Sequence, residues 1–281
     1  MQPPTTDIEP AAPAIGAQAA SSRVALVTGA ARRLGRAIAL ALARDGWDIG
    51  VHYGNSEQEA RQTANEIREM GRQAVCLKAN LEDEAAVTGL IGHLAGQLGP
   101  VCGLVNNASH FLHDDIDSVD AASLKAHLLP NLVAPLLLSQ AFFRALREEA
   151  GGNGAFADAV IINLLDQKLD NLNPDFLSYT VAKAGLAAAT TMLAQAMAPR
   201  VRVVGIAPGL TFPSYLQDQQ AFERAQARFS PLRRSSTPED VAAAVVFAMN
   251  NRSLTGTVLQ VDGGQHLQRL PRDVSLMPAS E

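Results

Sequence analysis

Tyr179 and Lys183, in the segment Ser178-Tyr179-Thr180-Val181-Ala182-Lys183, stand four residues apart, which on a helix sets them one turn apart on the same face. An ammonium held beside a phenol lowers the phenol's pKa and makes it a usable proton donor near neutral pH. Tyr and Lys at this spacing are common on inert surfaces, so the pair gains its meaning from Asp166, thirteen residues upstream. Asp166 closes the apolar run Val160-Ile161-Ile162-Asn163-Leu164-Leu165, which reads as a buried strand. A carboxylate at a strand's carboxyl end, followed by a helix bearing Tyr179 and Lys183, gathers three polar groups around one cleft. That is an active-site layout for proton transfer. A helix cap ahead of Gln167 is the plainer alternative for Asp166.

Such a cleft needs a sheet and covering helices to build it. From Arg23 onward, β-branched runs alternate with longer Ala- and Leu-rich stretches. The strand candidates are Val24–Thr28, Asp48–Tyr53, Ala74–Leu77, Val101–Val105, Val160–Leu165, Val201–Ile206 and Val258–Val261. Helix-length stretches lie near 33–45, 56–70, 82–98, 119–149, 176–198 and 237–249, the fourth complicated by Pro130 and Pro135. Continuous apolar strands separated by helices predict an α/β fold, a seven-stranded parallel sheet with helices on both faces. One domain over 23–267 is expected, and residues 209–236 are expected to fold over the cleft as a short helical lid. Residues 1–22, rich in Pro, Ala and Gln, read as a disordered arm rather than a secretory signal. The polar residues after Gly264, including the tail 268–281, are expected to pack only in part.

Composition narrows the classes further. The chain has 281 residues, 47% hydrophobic and 18% charged, enough for one full core. A net charge of −5 gives no basic surface for nucleic acid or an anionic membrane. No uninterrupted apolar run approaches the roughly 20 residues of a membrane helix. Cys76 and Cys102 sit in or beside apolar runs and read as free thiols of a reducing compartment, which sets an expected cytoplasmic location. His110, His113, Asp114 and Asp115 match no closed zinc set, so no metal is expected.

Thr28-Gly29-Ala30-Ala31-Arg32-Arg33-Leu34-Gly35 joins the first strand to the first helix. A glycine-bearing turn there lets backbone N–H groups and the helix dipole meet a pyrophosphate, although an ordinary strand-to-helix turn has the same look. The second strand ends in His52-Tyr53-Gly54-Asn55-Ser56, with no carboxylate placed to grip the ribose hydroxyls of NAD. Arg32 and Arg33 in the turn, with Asn55 and Ser56 opposite, favour a 2′-phosphate and therefore NADP(H). Asn80, followed by Leu81, can hold an adenine edge or simply cap the next helix. Asn106-Asn107-Ala108-Ser109 ends the fourth strand in small residues and amides that suit close passage of a cofactor. Asn131 follows Pro130 and either faces the cleft or satisfies a kinked backbone. Pro208-Gly209, after the sixth strand, can lie under the nicotinamide.

Together these segments resemble the short-chain dehydrogenase/reductase family over about residues 23–267. The matching pieces are Thr28–Gly35, Asn106-Asn107-Ala108, Asn131, Tyr179 with Lys183, Pro208-Gly209 and Val261-Asp262-Gly263-Gly264. The resemblance implies a single Rossmann-type doubly wound domain that transfers hydride with NAD(P)(H). It implies that Tyr179 is the acid, that Lys183 binds ribose and tunes Tyr179, and that Asn131 orders a relay water. It also suggests a homotetramer built on late helices. Two departures point to a subgroup: Arg33 stands where the family has a second glycine, and Asp166 where it has serine. Both are similar to pteridine reductases, as is Phe111, whose position there stacks a pterin against the nicotinamide. Carried over, Arg33 contacts both cofactor phosphate and substrate, and Leu210 lies in the substrate loop. Asn55 departs from that subgroup, replacing a residue that is often basic.

The chemistry of a pterin C=N bond fits these residues. Hydride goes to carbon and a proton to the neighbouring nitrogen; a flat bicyclic ring suits the platform of Phe111, which is otherwise a loop anchor. A carboxylate at 166 can orient the proton and hydrogen-bond the pterin's amino groups. The sequence therefore predicts NADPH-dependent reduction of a pterin. The alternative within the family is a carbonyl reductase, for instance on a 3-oxoacyl thioester, where a carboxylate would repel the developing alkoxide. A regulator that binds NADP without turnover is expected to lose Tyr179 or Lys183, and both are present.

Overall fold

The computed structural model describes residues 23–149 and 159–277. The expected N-terminal arm lies outside the described residues. Seven strands form one sheet in the order β3-β2-β1-β4-β5-β6-β7. They are β1 Arg23–Val27, β2 Trp47–Tyr53, β3 Ala74–Lys78, β4 Val101–Asn106, β5 Ala159–Leu164, β6 Val201–Pro208 and β7 Val258–Val261. Every pair is parallel, as the unbroken apolar runs predict for strands buried on both faces. Chain order reverses between β1 and β4, so a crevice opens at their carboxyl ends.

The helices are α1 Arg33–Arg44, α2 Glu57–Glu69, α3 Glu84–Leu98, α4 Ala121–Leu128, α5 Ala134–Glu149, α6 Leu177–Met197, α7 Gln219–Phe229 and α8 Pro238–Asn250. On one face, Ile38 and Leu42 of α1, Ile67 of α2 and Val241 and Val245 of α8 meet the sheet. On the other, Leu90 and Leu94 of α3, Leu138 and Phe142 of α5 and Met197 of α6 do so. This is the doubly wound architecture that the pattern predicts.

The stretch expected as one helix over 119–149 is split. Leu129–Val133 forms a π turn between α4 and α5, which absorbs the amide that Pro130 lacks. The span Ala121–Glu148 is, by length and composition, long and apolar enough to cross a membrane, although polar residues interrupt it as an apolar run. Its apolar face, including Leu138, Phe142 and Leu146, is buried in the core, so it reads as a core helix. The lid expected at 209–236 contains α7, packed through Ala225 and Phe229 against Leu210 and Val274. The tail is more firmly held than its polarity predicts. Arg272 pairs with buried Asp175 at 2.8 Å, and Asp273 with buried Lys168 at 3.0 Å.

A buried polar chain ties α6 to the sheet. Asn106 of β4 donates to Asn163 of β5 at 2.9 Å, and Asn163 donates to Thr190 of α6 at 2.9 Å. Both Asn163 and Thr190 are almost wholly buried, so each bond replaces one to water. Asn163→Ala should leave two buried groups short of a partner and lower the unfolding free energy by about 1–3 kcal/mol in a urea titration. An unchanged midpoint and slope would contradict this role.

Candidate active site

The turn between β1 and α1 is fixed from behind by β4. Thr28 Oγ1 accepts the N–H groups of Asn107 and Ala108 at 2.9 and 3.0 Å, and the Asn107 amide donates to the Thr28 carbonyl at 2.8 Å. A methyl group on Gly35 would lie 2.1 Å from the Gly29 carbonyl oxygen, so only glycine lets α1 begin there. Arg32, at the N-cap, makes no side-chain cap, and the first amides of α1 point into the crevice without an intrahelical partner. Arg33 is left-handed at φ 50°, which explains why glycine suits this position; the strain costs about 1 kcal/mol. Its guanidinium sits 4.7 Å from the centre of the Phe212 ring and reaches the Pro213 carbonyl at 3.5 Å, latching the lid to the turn.

Two cavities adjoin this turn. One, of about 500 Å³, is lined by Gly29, Arg32, Arg33, Leu34, Gly35, Tyr53, Asn55, Ser56, Asn107, Ala108 and Ser109, with Phe212 from the lid. Its lining holds two arginines and no carboxylate. The other, of about 520 Å³, is lined by His52, Asn55, Asn80, Leu81 and Ser109 among others. Lys78, at the end of β3, lies there too, and no local pattern in the sequence marks it. The residues fit a dinucleotide: donors at the helix start for phosphate, the cations Arg32 and Lys78 for the ribose end and a further cavity beside Asn80 and Leu81. Asn80 Oδ1 accepts the Glu82 N–H at 3.1 Å and the residue lines the second cavity, while the cap of α3 that the sequence allowed for Asn80 is supplied by Asp83.

The expected catalytic groups meet at the carboxyl end of β5. Tyr179 Oη donates to Asp166 Oδ2 at 2.7 Å, and Asp166 Oδ1 accepts the Lys168 N–H at 2.8 Å. Asp166 therefore both caps the short 3₁₀ turn Gln167–Asp170 and meets the phenol; the two readings of the sequence hold together. Burial raises the Asp166 carboxyl above the ordinary carboxylate range. Lys183 Nζ donates to the Leu164 carbonyl at 2.7 Å and lies 5.8 Å from the centre of the Tyr179 ring. The expectation that Lys183 pulls the phenol down is overturned in this arrangement. Burial, and then the charge of Asp166, push Tyr179 well above its usual value, while burial brings Lys183 down to about 8. Asn131 is wholly buried in the π turn, and its amide exchanges two hydrogen bonds with the backbone of His110, at 3.0 and 2.9 Å. Its side chain pins the loop after β4, and both of its polar atoms are engaged there.

Beyond the phenol lies a cavity of about 450 Å³ walled by Phe111, Tyr179, Leu210, Phe212 and Tyr215, with Pro208 and Gly209 at its floor. Phe111 stacks on buried Phe176 at 4.3 Å and 9° and meets Tyr179 edge-on at 4.7 Å, leaving its other face to the cavity. Arg33 lines this cavity as well as the one at the β1–α1 turn, so it faces both. Several wall residues escape sequence reading: Lys168 and Asn173 after β5, Phe212 and Tyr215 in the lid, and Arg272 and Asp273 in the tail. Tyr215 accepts the His113 N–H at 2.9 Å, holding the lid to the β4 loop. The aromatic pair Phe212 and Tyr215, close together after β6, is the available signal for the lid; the tail offers none.

The profile of the family described as Enoyl-(Acyl carrier protein) reductase matches residues 29–266. An uncharacterized oxidoreductase of Mycobacterium tuberculosis is 33% identical over 247 residues, covering 86% of this chain and 91% of that protein. A 3-oxoacyl-[acyl-carrier-protein] reductase of Synechocystis sp. is 31% identical over 250 residues, covering 88% and 98% respectively. Among solved structures, the FolM alternative dihydrofolate reductase 1 of Brucella canis, complexed with NADP, superposes with a TM-score of 0.82 at 39% identity. That alignment covers 88% of this chain and 95% of the Brucella chain.

Lys183 gives a pH signature. Its ammonium titrates near 8 in the folded chain against 10.5 in the unfolded one. Between those values the unfolded chain holds more protons, so stability rises with pH. Tyr179, raised in the fold, acts in the opposite sense only above 10, which leaves a window from about 8 to about 10. Across that window wild type should gain stability relative to Lys183→Met in paired urea titrations. A difference that stays constant with pH would contradict a buried, depressed Lys183.

Proposed function

Because this chain belongs to the short-chain dehydrogenase/reductase family of NAD(P)-dependent oxidoreductases, we propose that it reduces a pterin C=N bond with NADPH, Tyr179 donating the proton. The observation that carries this reading is the 2.7 Å bond between Tyr179 and Asp166, made at the edge of a slot walled by Phe111. The ring slides against the free face of Phe111 with its reacting nitrogen at Tyr179 Oη. The dinucleotide, when bound, supplies the hydride. Tyr179 gives its proton to the ring nitrogen, and Asp166, whose Oδ2 accepts from the phenol, orients that proton; the phenolate takes its replacement proton from solvent. Lys183 binds the nicotinamide ribose and keeps the pocket's charge balanced against Asp166. The relative of known structure named an alternative dihydrofolate reductase supports a pterin-like ring.

NADPH is the cofactor in this reading. The Gly29–Gly35 turn would take the pyrophosphate, with Asn107, Ala108 and Ser109 beside it. Arg32, Asn55, Ser56 and Lys78 would hold the 2′-phosphate, and Asn80 and Leu81 the adenine, since these residues line the two cavities at the turn. Arg32 lies 3.9 Å from Glu59, an exposed pair that is weak enough to yield to a phosphate. We read the protein as a cytoplasmic homotetramer; exposed Phe247 on α8 and Val258 on β7 support an assembly through that edge.

A second reading rests on the relatives named 3-oxoacyl-[acyl-carrier-protein] reductases. It asks a carboxylate at 166 to face a developing alkoxide, where a hydroxyl donor would stabilise it. The two readings separate in one panel: NADPH oxidation with dihydrobiopterin, dihydromonapterin, dihydrofolate and a 3-oxoacyl thioester. Pterins should be turned over and the thioester should not. Activity confined to the thioester would sink the pterin reading. Asp166→Ser should lose pterin reduction, and gain of weak ketone reduction would mark the hydroxyl arrangement.

Two substitutions test the roles of individual groups. Tyr179→Phe should keep NADPH affinity and lose turnover by on the order of 10²-fold, since only the proton donor is removed. Near-normal rates at saturating NADPH would rule out Tyr179 as the acid. Phe111→Ala should raise the pterin KM while leaving NADPH affinity nearly intact, because stacking is worth about 0.5–1.5 kcal/mol beyond area burial. An unchanged KM for every pterin would reduce Phe111 to a loop anchor.

A further inference from the structure

His52 is expected from the sequence among the residues that touch the cofactor, yet its ring is 2% exposed and turned beneath the Thr28–Gly35 turn. Its Nδ1 accepts the Gly29 N–H at 3.1 Å, and its Nε2 lies 3.2 Å from the Ala79 carbonyl oxygen. A carbonyl only accepts, so Nε2 carries the proton and Nδ1 is the bare acceptor. The His52 carbonyl in turn takes the Ala30 N–H at 2.9 Å. One residue thus joins three segments: the β1–α1 turn, β2 and the chain leaving β3. Burial lowers the imidazole pKa to about 4, so the ring stays neutral and keeps both bonds at physiological pH.

We propose that His52 is a positioning residue for the cofactor turn, its single tautomer setting Gly29 so that the first amides of α1 face the dinucleotide's phosphates. The proposal rests on the dinucleotide-binding reading above. Gly29 is left-handed at φ 63°, and its carbonyl sits where any side chain at Gly35 would collide, so the turn has little slack. Two of its amides, those of Gly29 and Ala30, are committed to His52. The amides of Arg33, Leu34 and Gly35, which begin α1 and have no intrahelical partner, are available to an anion. Without the imidazole, the Gly29 N–H would turn toward water or the phosphate and the start of α1 would move with it. No solvent-facing group is needed for this role, and the ring takes no part in proton transfer.

The two ring nitrogens make different predictions. Asparagine at 52 places an oxygen where Nδ1 sits, glutamine places an NH₂ where Nε2 sits, and leucine supplies neither. For His52→Leu and His52→Gln the NADPH dissociation constant, read by nicotinamide fluorescence, should rise about tenfold, the cost of a buried donor left unpaired. For His52→Asn it should stay within about threefold of wild type, and dihydrobiopterin kcat at saturating NADPH should hold within about twofold in all three variants. Equal affinities for Leu and wild type, or equal losses for Asn and Gln, would overturn the proposal. So would a fall in kcat that matched the fall in affinity. Wild-type protein that fails to bind NADPH would overturn the dinucleotide reading as well, whereas binding without pterin turnover would count against the pterin alone. Should the Leu variant not fold, nitrogen-15 NMR of the wild-type imidazole tests the same tautomer without any substitution. Protonated Nε2 with bare Nδ1 is expected; the opposite tautomer would overturn the proposal.

Discussion

The whole arrangement depends on one constraint: a parallel sheet delivers every strand's carboxyl end to the same edge. The reversal of strand order between β1 and β4 opens that edge into a crevice, and three strand ends supply its chemistry. Thr28 at the end of β1 is cross-bonded to Asn107 and Ala108 at the end of β4, so the cofactor turn and the floor of the cleft move as one unit. Asp166 at the end of β5 is held by the Lys168 amide, and α6 delivers Tyr179 to it. The buried chain Asn106–Asn163–Thr190 fixes α6 against those same strands. Position, in this protein, is set by the sheet before any side chain acts.

On that frame the electrostatics are set by burial. Tyr179, Lys183 and Asp166 are each moved in the direction that disfavours the charged form. The lid and the tail then border the same cavity. Phe212 lies against Arg33, Tyr215 reaches the His113 amide, and the tail is pinned through Asp175 and Lys168. These closures come from different parts of the chain and meet only over the cavity.

Much of this is legible in the sequence because it is local. A strand end, a glycine turn and a one-turn helical spacing are read within a few residues, and Asp166, Tyr179, Lys183 and Gly29 stand out that way, whereas Phe111 is singled out only by the resemblance to pteridine reductases. The helix and strand limits differ by a residue or two, as frayed ends do. What escapes is long-range. Lys168 meets Asp273 across 105 residues and Arg272 meets Asp175 across 97, pairings that no local pattern announces. The polarity of the tail suggests loose packing because its charges read as solvated rather than paired. Similarly, the spacing of Tyr179 and Lys183 implies a shared face but not the partners: the lysine turns to the Leu164 carbonyl while the phenol finds Asp166. For Asn131 the structure shows the backbone-satisfying alternative, its amide tied to the His110 backbone from within the π turn, a pairing that no local pattern announces.

The central claim is that hydride reaches a pterin ring carbon beside Tyr179. NADPH labelled with deuterium at the transferred position of the nicotinamide tests it directly, with NMR or mass analysis of the reduced product. The account predicts one deuterium on the ring carbon next to the newly protonated nitrogen when a dihydropterin is supplied. A pterin recovered without label, with deuterium instead at the carbinol carbon of a 3-hydroxyacyl product when a 3-oxoacyl thioester is supplied, would contradict it.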